Sequence, residues 1–264
     1  MNILEEIIAY KRTEVARQKT LMPLVQLEKF GFFSEPALSL KASLLNKNKT
    51  GIIAEFKRQS PSKGIINSEA DVFEVTAAYT ANGASGLSVL TDAKFFGGSA
   101  DDLIKSRINS LPILRKDFII DEYQVVEAKS LGADVILLIA ACLTPTEVKQ
   151  LAGKAKELGL EVLLEIHAEV ELDHICDEVD IVGVNNRDLK TFTVDLEQSA
   201  RLVEKIGGGK LKIAESGIHQ PEDILYLGQN GFDGFLIGER FMKEPDPGKA
   251  FEDFVEKLSV LKMT

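Results

Sequence analysis

Short runs of apolar and β-branched residues recur along this chain, with polar, helix-like stretches between them. The runs are IIAEFK (52–57), GLSVLTD (86–92), PILRKDF (112–118), VILLIA (135–140), EVLLEI (161–166), IVGVNN (181–186), KLKIAES (210–216) and GFLIG (234–238). Their length and side-chain type predict eight strands. The segments between them carry helix grammar. In TPTEVKQLAGKAKELG (144–159), Thr144 suits a cap and Pro145 the first turn. HQPEDILYLGQNG (219–231) has Pro221 near its start and Gly228 or Gly231 near its end. NGASGLSVL, LGADVILL, LGLEVLLE and NGFDGFLIG repeat one joint: glycine where a helix ends, a small or acidic turn, then a strand.

Strands that alternate with helices pair in parallel through right-handed crossovers, which sets the class as α/β. Eight units in about 200 residues match a closed (β/α)8 TIM barrel. An open doubly wound sheet is the competing architecture, but it more often has five or six strands. Residues 1–50 precede the first strand and open with MNILEEIIAYKRTEVARQK, apolar at helical spacing. They read as an N-terminal helical extension, a cap over one barrel end, within a single domain spanning 1–264.

The first run poses a chemical question. Glu55 and Lys57 are two apart, so both share a strand face with Ile53. Other strand ends repeat the pattern: Lys116 on the third, Glu165 on the fifth, Asn185 and Arg187 on the sixth, Glu215 and Ser216 on the seventh. Strands two and four end more neutrally. Active sites of such barrels lie at the C-terminal strand ends, so convergent acids and amines there point to acid–base chemistry. Gly217 in ESGI and Gly238 in IGERF follow strands seven and eight, where barrels often bind phosphate. His167, His174 and His219 form no metal-binding motif. GGSAD (97–101) lacks the lysine of a nucleotide-binding P-loop, and KIGGGK (205–210) reads as a connection on the opposite face.

Charge narrows the partners. A net charge of −10 argues against nucleic acid or an anionic membrane, but a local basic cluster can still hold a small anion. Cys142 and Cys176 are too few for a disulfide framework. No run approaches the ~20 apolar residues that span a bilayer, and the first residues lack a secretory apolar core. These features predict a soluble cytoplasmic protein. The absence of an obvious exposed apolar helix predicts a monomer.

Taken in order, IIAEFKRQSPSKG, SVLTDAKFFGGS, ILRKDFIIDEYQV, LLEIH, GVNNRDL, IAESGI and FLIGERFM resemble indole-3-glycerol-phosphate synthases along nearly the whole chain. The resemblance implies a barrel of tryptophan biosynthesis that needs no metal or organic cofactor. The substrate it implies, carboxyphenylamino-deoxyribulose phosphate, closes a ring and loses CO2 and water. Lys116 would then be the general acid of ring closure, and Glu165 the acid–base group of dehydration with Glu55 as its partner. Lys57 would face the substrate's anionic groups, and its share of the proton transfers is left open. Asn185, Arg187 and Ser60 would position the carboxylate and hydroxyls. Glu215, Ser216, Gly217, Gly238 and Glu239 would bind substrate, the serine and two glycines at its phosphate. Phe96, Phe118, Leu137 and Leu189 would form the aromatic slot, and Lys63 would reach over the substrate. Gln59 and Glu239 depart from the expected pattern, and an acid facing phosphate at 239 would be unfavourable.

Lys57 and Lys116 at one rim would lower each other's pKa, whereas Glu55 and Glu165 would hold them charged. Two other readings remain open on residues alone. A class I aldolase would use Lys116 as a Schiff-base amine, and an inactive barrel would only bind a phosphate ligand.

Overall fold

Every strand window contains a strand, trimmed where polar rim residues leave the ladder. The computed structural model describes residues 3–188 and 193–263. Besides a small antiparallel pair at 59–60 and 64–65, its barrel strands are β1 (Ile52–Phe56), β2 (Gly86–Leu90), β3 (Ile113–Lys116), β4 (Val135–Ile139), β5 (Glu161–Ile166), β6 (Ile181–Asn185), β7 (Leu211–Glu215) and β8 (Gly234–Ile237). The barrel strands all pair in parallel with their neighbours in that series, and β1 pairs with both β2 and β8, which closes the sheet. The open-sheet alternative is excluded.

Side chains divide by strand parity. Ile52, Ala54, Leu87, Val89, Ile136 and Leu138 point outward and pack under the helices. Ile53, Leu114, Leu137, Leu163, Ile213 and Leu236 point inward and fill the barrel. Two residues further on, the inward series becomes Glu55, Lys116, Glu165 and Glu215. A period of two thus carries an aliphatic layer directly into an ionic one.

The helices obey their caps. Thr144 and Glu147 form a capping box around Pro145, as the sequence predicts. Asp71, Ser99, Asp121 and Asp195 accept backbone N–H groups at four other helix starts. Gly132, at φ 90°, ends the helix Glu122–Leu131 in the left-handed region.

The extension serves both barrel ends, where the sequence pointed to one. Helix Leu40–Leu44 plugs the N-terminal face, with Leu40 and Leu44 in the interior cluster. Two glycines make room for it. A Cβ on Gly86 would meet Leu40 at 2.6 Å, and one on Gly234 would meet Leu44 at 2.8 Å. The plug is tied down by Asp134 and Glu161, which accept from the backbone N–H of Leu38 at 2.7 Å and of Leu40 at 2.8 Å. At the other end of the extension, α1 (Ile3–Leu21) lays Ile3, Leu4 and Ile7 against the C-terminal cavity. We expect Leu40→Ala to cost about 2–5 kcal/mol in urea unfolding. Gly86→Ala is expected to destabilise alone and to be partly rescued by Leu40→Ala, as a double-mutant cycle measures.

Candidate active site

The ionic layer forms the floor of a cavity of about 200 Å³ at the C-terminal ends of the strands. Lys116, last residue of β3, reaches across it. Its Nζ donates to Glu165 on β5 at 2.9 Å and to Glu215 on β7 at 3.0 Å. Burial would drive this ammonium down, but Glu165, Glu215 and Glu55 outweigh it and raise its pKa. Mutual depression by neighbouring lysines is therefore not what governs Lys116.

Its two carboxylate partners differ. Burial raises Glu165, but Lys116 and then His167 pull it well below the usual carboxylate range. Asn185 Nδ2 also donates to Glu165 at 3.1 Å. Glu215, 1% exposed, has one oxygen without a hydrogen-bond partner. Its burial, against the pull of Lys116 and with the repulsion of Glu165, pushes its pKa up to about 7. One acid is held ionised and the other titrates near neutrality, an asymmetry suited to proton transfer.

On β1, Glu55 pairs with Lys57 at 2.7 Å and accepts from Ser88 at 3.4 Å. Gly238 leaves the space that Glu55 occupies, because a Cβ there would meet Glu55 Cβ at 2.8 Å. Gly183 does the same for Glu215. The clearance at Gly238 gives that rim glycine a steric reason beyond any ligand.

The walls are of two kinds. Phe96 and Phe118 stand with ring centroids 6.0 Å apart, above Leu137. Across the barrel, Ser216 and Gly217 take left-handed φ values of 68° and 70°. Ser216 is the only non-glycine residue in that region among the described residues, a strain of about 1–2 kcal/mol. Its carbonyl is held by Asn186 Nδ2 at 2.7 Å. Ser60 and Arg187 also line the cavity, and Arg187 N donates to Asn185 Oδ1 at 3.0 Å. Glu239 does face inward, but its carboxylate lies 3.4 Å from Arg187 and 3.7 Å from Lys63. Cations thus surround the acid expected to be unfavourable there. Leu189, expected in the aromatic slot, lies outside the described residues.

Several groups lie outside the set of site residues expected from the sequence. His167, half-buried just past β5, sits 3.2 Å from Glu165 and 3.7 Å from Glu171. Burial opposes its charge, but the two carboxylates raise its pKa to about 10. Asp92 follows β2, whose end looked neutral, and also lines the cavity. Ile3, Leu4 and Ile7 were visible only as an amphipathic stripe.

Residues 4–254 match the family model described as indole-3-glycerol phosphate synthase. The chain belongs to the indole-3-glycerol-phosphate synthase family. A relative from Bacteroides thetaiotaomicron bearing that name is 50% identical over 97% of this chain and 99% of its own length. One from Caldanaerobacter subterraneus is 44% identical over 97% and 98%, and one from Bordetella pertussis 40% over 94% and 96%. Among solved structures, a tryptophan synthase α-subunit from Legionella pneumophila aligns with a TM-score of 0.62 at 13% identity, covering 85% of this chain and 98% of that one. One from Pyrococcus furiosus aligns at 0.60 and 14%, covering 80% and 99%. At such identities the likeness concerns the barrel fold alone. As an indole-3-glycerol-phosphate synthase, the chain is a decarboxylating lyase of tryptophan biosynthesis that acts on a small phosphorylated substrate.

The raised Glu215 has a measurable consequence. Between its ordinary value of 4.5 and about 7 the native state holds a proton that the unfolded state has lost. Stability therefore falls as pH rises through that window. We expect Glu215→Gln to remove the fall, raising Tm by about 5 °C around pH 8 with no gain below pH 4, in scanning calorimetry.

Proposed function

We propose that the Lys116 ammonium protonates the ketone oxygen of 1-(2-carboxyphenylamino)-1-deoxyribulose 5-phosphate as the substrate's aromatic carbon attacks that carbonyl. The observation that carries this reading is the single ammonium held by Glu165 and Glu215 on the cavity floor. Carbonyl activation needs a persistent donor, and these carboxylates keep one charged. Loss of CO2 then restores the aromatic ring. Glu165, ionised and hydrogen-bonded to Asn185, carries the proton traffic of the dehydration with Glu55 as its partner.

The remaining roles follow the chemistry of the walls. Phe96, Phe118 and Leu137 accept the aromatic ring, with Leu189 assigned to the same slot. Arg187, Ser60 and Asn185 hold the substrate's carboxylate and hydroxyls, and Lys57 meets its anionic groups. Ser216, Gly217, Gly238 and the backbone of Glu239 take the phosphate. Left-handed backbone beside a short helix start is suited to that task. Glu215 binds substrate from below through its tie to Lys116. No metal or organic cofactor enters this scheme.

A Schiff-base aldolase would need Lys116 as a free amine, which the surrounding carboxylates oppose. Lys116→Ala and Glu165→Gln are expected to lower kcat at least about 10³-fold with an unchanged circular dichroism spectrum, assayed by fluorescence of indole-3-glycerol phosphate. Near-parental turnover in either variant would remove the mechanism. The same reading takes residues 1–264 as one domain and the chain as a cytoplasmic monomer. Among the described residues no helix is long and apolar enough to cross a membrane. Sedimentation equilibrium is expected to return the mass of one chain, and a dimer mass would refute the monomer.

A further inference from the structure

Lys11 lies in the apolar stripe of α1, between Ile7 and Val15 at four-residue spacing, and is 2% exposed. Its Nζ is 2.9 Å from Asp92, 3.0 Å from Asp117 and 2.6 Å from Glu14. The two aspartates follow different strands and have definite tasks. Asp92 caps the turn Ala93–Phe96, accepting from Phe95 N at 2.7 Å. Asp117 accepts from Phe118 N at 2.8 Å and from Thr91 at 2.6 Å, and it pairs with Arg115 at 3.2 Å. Tyr10, beside Lys11, packs edge-on against Phe95 with centroids 5.8 Å apart. One ammonium therefore joins the base of the turn that carries Phe96 to the base of the turn that carries Phe118.

We propose that Lys11 is a positioning residue that sets the gap between Phe96 and Phe118, and so controls how the synthase binds the aromatic end of its substrate. The proposal rests on the reading of these rings as the aromatic slot. Without the cation, Asp92 is left a buried carboxylate with its counter-charge removed, Asp117 keeps only Arg115, and the two turns separate. Lys116 is spared, because its ammonium is held by Glu165 and Glu215 on other strands. The effect therefore falls on substrate binding more than on turnover.

The test compares Lys11→Met with Phe118→Ala in steady-state kinetics, with circular dichroism to establish the fold. Lys11→Gln, which keeps an N–H donor, stands in should the apolar variant not fold. For Lys11→Met we expect KM to rise about tenfold with kcat within about threefold. Lys11→Arg, which restores the cation, is expected to recover at least part of that loss. A raised KM in Phe118→Ala with an unchanged KM in the folded Lys11 variant overturns the proposal and leaves the slot intact. An unchanged KM in Phe118→Ala overturns the slot reading and the proposal with it. A fall in kcat at constant KM for the Lys11 variant also overturns it, since that would place Lys11 in support of the chemistry.

Discussion

The structure depends on keeping three buried carboxylates around a half-buried ammonium at the end of a barrel. Lys116 touches Glu165 and Glu215, and Glu55 lies close enough to add to its charge stabilisation. Removing such groups from water costs several kcal/mol each, and only close pairing offsets it. The barrel supplies that pairing geometrically. Inward positions on alternate strands fall in one layer, so charges on β1, β3, β5 and β7 meet without any bend in the sheet. Glu55 also has Lys57 and Glu165 also has His167, whereas Glu215 shares Lys116 with Glu165 and holds its proton more tightly.

Such a layer needs rigid support from below, and the extension provides it. Leu40 and Leu44 complete the aliphatic filling beneath the charges, in spaces left by Gly86 and Gly234. The same extension ends at the opposite rim, where α1 contributes apolar surface to the cavity and an ammonium to the turns after β2 and β3. A segment outside the eightfold repeat thus braces the barrel at both mouths.

Much of this was legible in the sequence. Strand windows and inward charges at Glu55, Lys116, Glu165 and Glu215 follow from a period of two that ends in a charge. The windows overran at β2 and β3 because Asp92 and Asp117 extend the polar strand ends while belonging to the rim turns. The second strand end was read as neutral although its window, GLSVLTD, closes on Asp92. Lys11 stood on the apolar stripe of α1, a visible anomaly, but its partners are distant in sequence and no local pattern names them. The sequence marked Glu239 as unfavourable beside phosphate without revealing that Arg187 and Lys63 lie next to it. Pairings between segments far apart are set by tertiary packing, which a single sequence does not print.

The position of Lys11 also bears on how the chain is made. Its helix leaves the ribosome before the barrel strands that follow it, while both aspartates that receive its charge are encoded roughly a hundred residues downstream. Until those strands form, the ammonium interrupts the apolar stripe between Ile7 and Val15, and Glu14 is the one of its three acidic partners already made. Once β2 and β3 exist, the same charge becomes the reason to dock. The helix is thus locked in place by a group whose partners lie on strands that follow it in the chain.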